Sequence, residues 1–162
     1  MKRTLVIILS LLIAGANCVF ASEYTKFSRK FIKKIKDCNA YEETVTSEFE
    51  GSTFKTVRKI NGWKNGACSY SEVVSSRGES YKLNCNFMSV QLDDLYDAMR
   101  SRSKAVEVYN LDLYSTKTNP KNGAVEYKVS GSTEIKGNKA YIMWARYQNN
   151  PYICQIEKLG AK

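Results

Sequence analysis

The stretch Ile60–Phe87, INGWKNGACSYSEVVSSRGESYKLNCNF, limits the fold more than any other part of the chain. Asn65-Gly66 is the preferred pair for a two-residue type I′ hairpin turn, because both central residues must take positive φ. Ile60, Trp63, Cys68 and Tyr70 flank it, and these residue types fit a pleated, half-buried surface. After a second turn at Ser75–Gly78, Tyr81, Leu83, Cys85 and Phe87 recur at period two between Lys82, Asn84 and Asn86. That alternation is a strand with one buried face. A four-residue loop of Ser75, Ser76, Arg77 and Gly78 pairs Val74 with Glu79 and, counting outward, sets Cys68 opposite Cys85. Directly opposed residues on antiparallel strands lie within disulfide reach. This register predicts Cys68–Cys85 and, by elimination, Cys38–Cys154. Four cysteines allow three pairings, and the choice hangs on the length of that loop.

The N-terminus sets the compartment. Lys2 and Arg3 precede an apolar run from Leu5 to Ala16, and Val19-Phe20-Ala21 offers a cleavage site after Ala21. Residues 1–21 therefore read as a cleaved signal peptide, with a buried N-terminal helix as the competing reading. The run is too short for a membrane anchor, so no transmembrane helix is expected after cleavage. Cys18 leaves with the signal; Asn17 before it is a poor fit to a lipoprotein signal. Export to the periplasm or beyond follows, with Cys38, Cys68, Cys85 and Cys154 left to form structural disulfides. No two cysteines lie close in sequence and the chain has no histidine, so neither a metal site nor a cofactor is expected.

Residues 22–162 suit one compact α+β domain, or two subdomains at 22–88 and 89–162. Losing Lys2 and Arg3 takes the net charge from +9 to +7. A basic balance favours acidic partners, here an acidic protein or an anionic envelope lipid or glycan; an exported chain is not expected to meet nucleic acid. The plainer reading of the charge is solubility.

Residues 23–37 have helical spacing. Tyr24, Phe27, Phe31, Ile35 and Cys38 share one face, and Lys26, Arg29, Lys30, Lys33, Lys34 and Lys36 lie across from it. This helix either lies on an anionic surface through Lys26, Arg29, Lys30, Lys33 and Lys34, or packs its apolar face on a sheet. A cysteine at the end of that face favours packing. Strands are expected at Thr44–Glu50 and Thr53–Asn61. Ser89 is expected to N-cap a second helix, with Asp93 and Asp94 early in it and Leu92, Leu95, Tyr96 and Met99 on its apolar face. Arg100, Arg102 and Lys104 suit its C-terminal end. Further strands are expected at Val106–Tyr114, Ala124–Ser130, Lys139–Tyr147 and Tyr152–Lys158, joined by turns rich in Asn, Gly and Pro. The fold class is thus α+β, mainly antiparallel β-sheet with two helices and two disulfides. The order, one helix and four strands taken twice, is compatible with a tandem duplication or with a plain meander. It resembles the architecture of some secreted enzyme inhibitors, a likeness of fold alone.

In the expected strand Lys139–Tyr147, Ile142, Trp144 and Arg146 share one face, with Ile153 nearby on its neighbour. Exposed, such a face has the composition of a protein-binding hot spot; buried on both sides, it is a central strand. Trp63 beside the Asn65-Gly66 turn is the second candidate. Trp144, Arg146, Ile142, Ile153 and Trp63 are therefore the candidate partner-binding residues. Without histidine, no Ser-His-Asp or Cys-His arrangement exists. Glu42, Glu43, Asp93 and Asp94 sit in no context that marks a carboxylate pair, so no catalytic residue is assigned. The expectation is an exported, non-catalytic protein-binding module, of inhibitor or immunity type among others. The alternative is a basic protein that binds an envelope polyanion or membrane surface.

Overall fold

A computed structural model describes residues 27–159 except 50, 102 and 104. The expected signal segment 1–21, Cys18, Tyr24, Lys26, Arg102 and Lys104 lie outside the described residues. The chain runs α1 (Arg29–Lys36), β1 (Tyr41–Phe49), β2 (Ser52–Lys64), β3 (Ala67–Ser76), β4 (Glu79–Phe87), α2 (Ser89–Arg100), β5 (Glu107–Thr118), β6 (Val125–Gly137), α3 (Lys139–Gln148) and β7 (Cys154–Leu159). The fold is α+β with antiparallel strands throughout. Five strands form one sheet in the order β1-β2-β3-β4-β7, and β5 pairs with β6 as a separate ribbon.

Two hairpins fix the sheet. Asn65 (φ 50°) and Gly66 (φ 80°) form the expected two-residue turn, with Lys64 opposite Ala67. The second hairpin is equally tight. Arg77 (φ 50°) and Gly78 (φ 80°) turn the chain, and Ser76 rather than Val74 pairs with Glu79. The expected four-residue loop is therefore two residues, because Arg77 accepts a left-handed conformation that the sequence does not announce. The register moves by two, so Cys68 faces Phe87 and Tyr70 faces Cys85.

That shift re-sorts the disulfides. The pairs are Cys38–Cys68 and Cys85–Cys154, not Cys68–Cys85 and Cys38–Cys154. Cys68 points into the core and meets Cys38 at the end of α1, with Cα atoms 5.7 Å apart. Cys85 and Cys154 are direct cross-strand partners on β4 and β7, with Cα atoms 4.0 Å apart. They close loops spanning 30 and 69 residues. In the chain-entropy picture each is worth about 4 kcal/mol.

The second half departs most from expectation. Lys139–Gln148 is a helix, not a strand. Asn138 caps it, its side-chain oxygen accepting the Tyr141 amide at 2.8 Å. The aromatic and branched residues of this stretch favour a strand in isolation, but packing decides. Ile142 and Ala145 are buried on one side of the helix and Trp144 on another, each in its own core. The order after β4 is thus helix, two strands, helix, strand, with no second run of four strands. At α2, Met88 rather than Ser89 is the cap residue; its amide donates to Gln91 Oε1 at 2.8 Å. Asp93 and Asp94 fall beyond the first turn.

The three described helices cover one face of the sheet. Phe31 and Ile35 of α1, Leu92, Leu95 and Met99 of α2, and Trp144 of α3 meet Ile60, Cys68, Tyr70, Leu83, Cys85, Phe87 and Cys154 in one core. A smaller core of Leu111, Ile135, Ile142 and Ala145 fastens the β5–β6 ribbon to α3. Proteolysis of the unreduced protein followed by mass spectrometry should give peptides joined Cys38–Cys68 and Cys85–Cys154. Any peptide joining Cys68 to Cys85 would contradict the two-residue turn at Arg77-Gly78.

Candidate functional site

The expected binding residues do not share a surface. Trp144 is 5% exposed and boxed in by rings. Phe27, Tyr70, Phe87 and Phe31 have centroids at 5.2, 5.3, 6.0 and 6.5 Å from it. Its place is the centre of the core, where an edge-to-face cluster adds to simple burial. Ile142 is also buried, in the smaller core beneath the ribbon. Ile153 is half-buried against the main core. Of the five, Arg146 and Trp63 are exposed. Arg146 lies over the Tyr109 ring at 4.9 Å. Trp63 is 48% exposed and donates its indole N–H to the Asp37 carbonyl at 3.2 Å. A bulge explains its position. Ile60 pairs with Tyr70 but Gly62 (φ 92°) with Ser69, so Asn61 is extra and Trp63 falls opposite Cys68, over the end of the core.

The basic helix is placed as expected on packing grounds. Phe31 and Ile35 are fully buried, so its apolar face is already committed to the core and is not free to enter a bilayer. Arg29, Lys30 and Lys33 are exposed, Lys34 is half-buried, and Lys26 lies outside the described residues. Lys30 sits over the Tyr41 ring at 5.3 Å, and Lys36 over Tyr96 at 4.8 Å.

The β5–β6 ribbon carries Val108, Val125 and Val129 among the exposed large hydrophobic residues. Near its base, Tyr109, Leu111 and Ile135 turn toward α3. Then the register steps. Leu113 pairs with Gly131 but Tyr114 with Val129, leaving Ser130 as an extra residue. Hydroxyls hold the bulge: Ser130 Oγ donates to the Leu113 carbonyl at 3.2 Å, and Ser115 Oγ to the Lys128 carbonyl at 3.3 Å. The Asn149 side-chain amide ties α3 to the ribbon through the Asp112 carbonyl. Beyond the bulge, the cross-strand pairs Tyr114–Val129, Thr116–Tyr127 and Thr118–Val125 line one face. Val125 and Val129 are each 50% exposed. Tyr127 meets Tyr152 edge-on at 5.4 Å, and Tyr152 is 72% exposed. The result is a strip of aromatic and β-branched residues without a charge. Its signal was present in the sequence as the alternation Val125-Tyr127-Val129, but only the ribbon brings Tyr114 and Tyr152 to it.

A buried row of charge crosses the sheet. Glu43 pairs in register with Arg58, and Arg58 with Glu72. Arg58 reaches Glu43 at 3.4 Å and Glu72 at 3.8 Å, with all three side chains less than a tenth exposed. Its guanidinium also covers the Phe27 ring at 4.6 Å. Ser28 Oγ donates to Glu43 at 2.6 Å, and the Tyr70 hydroxyl to Glu72 at 2.6 Å. Gln148 reaches Glu72 at 3.5 Å. Both carboxylates are engaged by donors, so the row ties the start of α1 and the end of α3 to the sheet. Glu42 pairs with Lys59 at 3.5 Å, and Asp94 accepts from the Tyr147 hydroxyl at 2.8 Å. Among the described residues, no group of three or more His, Cys, Asp or Glu side chains could hold a metal.

Burial, and then the charge of Glu72, hold the Tyr70 hydroxyl well above its usual range. Burial pushes Tyr141 up to about 12. It does the same for Tyr147, helped by the hydrogen bond to Asp94. At the open surface, the hydrogen bond from Lys158 holds Glu79 below the usual carboxylate range.

No protein-family model matches this chain, and no match was found among curated proteins or solved structures.

Two outcomes follow for stability. A tyrosine held protonated in the fold stabilises fully below its ordinary value of 10 and loses that contribution as pH rises toward its folded value. Thermal melts should therefore fall between pH 10, where tyrosine ionises in the unfolded chain, and about 12, where Tyr141 and Tyr147 ionise in the fold. Arg58→Ala leaves two buried carboxylates without their cation and should cost about 3–5 kcal/mol in urea unfolding. A loss within about 0.5 kcal/mol, typical of surface changes, would mean the row is not buried as described.

Proposed function

We propose that this chain is an exported, non-catalytic module that binds another protein through the outer half of its β5–β6 ribbon. The observation that carries this reading is the uncharged strip of Tyr114, Val125, Tyr127, Val129 and Tyr152, much of it open to water. Aromatic residues on a rigid support are the usual anchors of protein interfaces. The base of the ribbon is packed on α3 through Leu111, Ile135, Ile142 and Ala145, and Tyr152 lies two residues before the Cys85–Cys154 disulfide. Two disulfides, with no described helix long and apolar enough to cross a membrane, are compatible with an exported protein. Inhibitor and immunity roles fall within this class of module.

A second reading rests on α1. Its sequence RKFIKKIK carries five cations and no acid, with Arg29, Lys30, Lys33 and Lys36 exposed. Such a face suits an anionic lipid or glycan surface, met from outside rather than by insertion.

Affinity capture from envelope and secreted fractions separates the two. The oxidised protein should retain a stoichiometric protein partner. Substituting Val129→Ser together with Tyr152→Ala should abolish capture while leaving the melt nearly unchanged, since both side chains are exposed. A partner held equally by that variant would overturn the ribbon reading. Binding only to anionic vesicles, lost in high salt, would move the function to α1.

A further inference from the structure

The outer half of β6 reads Val125-Glu126-Tyr127-Lys128-Val129. Reversed, this segment is its own complement. β6 pairs with β5 on one side, and among the described residues no strand lies along its other edge. We propose that a second copy of this chain occupies that edge. The two β6 strands run antiparallel about a two-fold axis through Tyr127, giving a continuous sheet β5-β6-β6-β5 across the pair.

The register follows from symmetry and charge. With Tyr127 on the axis, Glu126 of each copy lies opposite Lys128 of the other, twice over. Val125 lies opposite Val129, also twice, and Tyr127 opposite Tyr127. Residues two apart share a strand face, so both ion pairs fall on one side and the valines and tyrosines on the other. The side with Val125, Tyr127 and Val129 is the strip already described, which the pairing extends across both copies without covering it. Edge pairing and partner binding thus use different parts of the ribbon, and neither requires the other.

Two further observations fit this occupant. Glu126 and Lys128 are exposed, and neither takes part in an ion pair among the described residues. The bulge at Ser130 ends the regular stretch just beyond Val129, so the paired segment avoids it. A two-stranded ribbon is also marginal by itself, and a second pair of strands removes its open edge. Charges on an edge normally repel a stranger strand; here the order Glu-Tyr-Lys admits the same strand inverted. The interface is isologous, as closed dimers require.

Charge exchange tests it. Sedimentation equilibrium of the disulfide-intact protein should show a monomer–dimer equilibrium. Glu126→Lys alone sets lysine against lysine at both pairs, and Lys128→Glu alone sets glutamate against glutamate. Each should weaken association about tenfold or more, since two attractions become two repulsions. Mixing the two single variants should restore dimers, as heterodimers. The double variant Glu126→Lys with Lys128→Glu should associate like the original. Tyr127→Cys should cross-link to itself under mild oxidation, because the axis brings its two copies together. A protein that stays monomeric at all concentrations would overturn the proposal. So would single variants that associate as well as the original, or mixtures that gain nothing over the singles.

Discussion

The packing of one indole holds this molecule together. Trp144 contacts rings from the approach to α1, from β3 and from β4, and it comes from α3. Removing it would leave a void that no neighbouring element could fill, because each is fixed by something else. The disulfides pin α1 to β3 and β7 to β4, and the Glu43–Arg58–Glu72 row fixes the first and last helices to the sheet. Voids of that kind cost several kcal/mol in tightly packed interiors. The ring cluster supplies cohesion, and the covalent and ionic ties supply register.

How much of this was legible depended on which physical signal dominated. The Asn65-Gly66 turn was readable because its chemistry is local: only a few residues tolerate two successive positive φ angles. The Arg77-Gly78 turn obeys the same geometry but hides half of its signal behind an arginine. That one residue changed the register by two and exchanged the disulfide partners, although all four cysteines were correctly assigned to bonds. The apolar face of the first helix was plain at Phe31 and Ile35, since a 3.6-residue period stands out against lysines. Lys139–Gln148 was not plain. It is apolar on nearly every side, so no period distinguished helix from strand, and the Asn138 cap looked like an ordinary turn.

The residues expected to form one partner-binding face are dispersed for the same reason. Trp144 and Arg146 read as a hot spot only if their segment is a strand; in a helix they diverge, one into the core and one into solvent. The ribbon surface joins Tyr114 and Tyr152, both distant in sequence, to the Val125–Val129 segment by a bulge and a post-helix turn. Neither device leaves a clear mark in a single chain. The sequence did carry the ribbon's alternation, and that is the part on which the functional reading now rests.

The disulfide connectivity has a consequence for how the chain is made. Among the described residues, each cysteine bonds to its next neighbour in the sequence, first Cys38 with Cys68, then Cys85 with Cys154. The two covalent rings follow one another and do not enclose each other. A polypeptide emerging N-terminus first can close the earlier ring before the later cysteines appear. A nested arrangement would leave Cys38 waiting for Cys154 and open to a wrong partner meanwhile. Oxidation can therefore proceed in order of appearance, without the slow reshuffling that non-consecutive bonds demand.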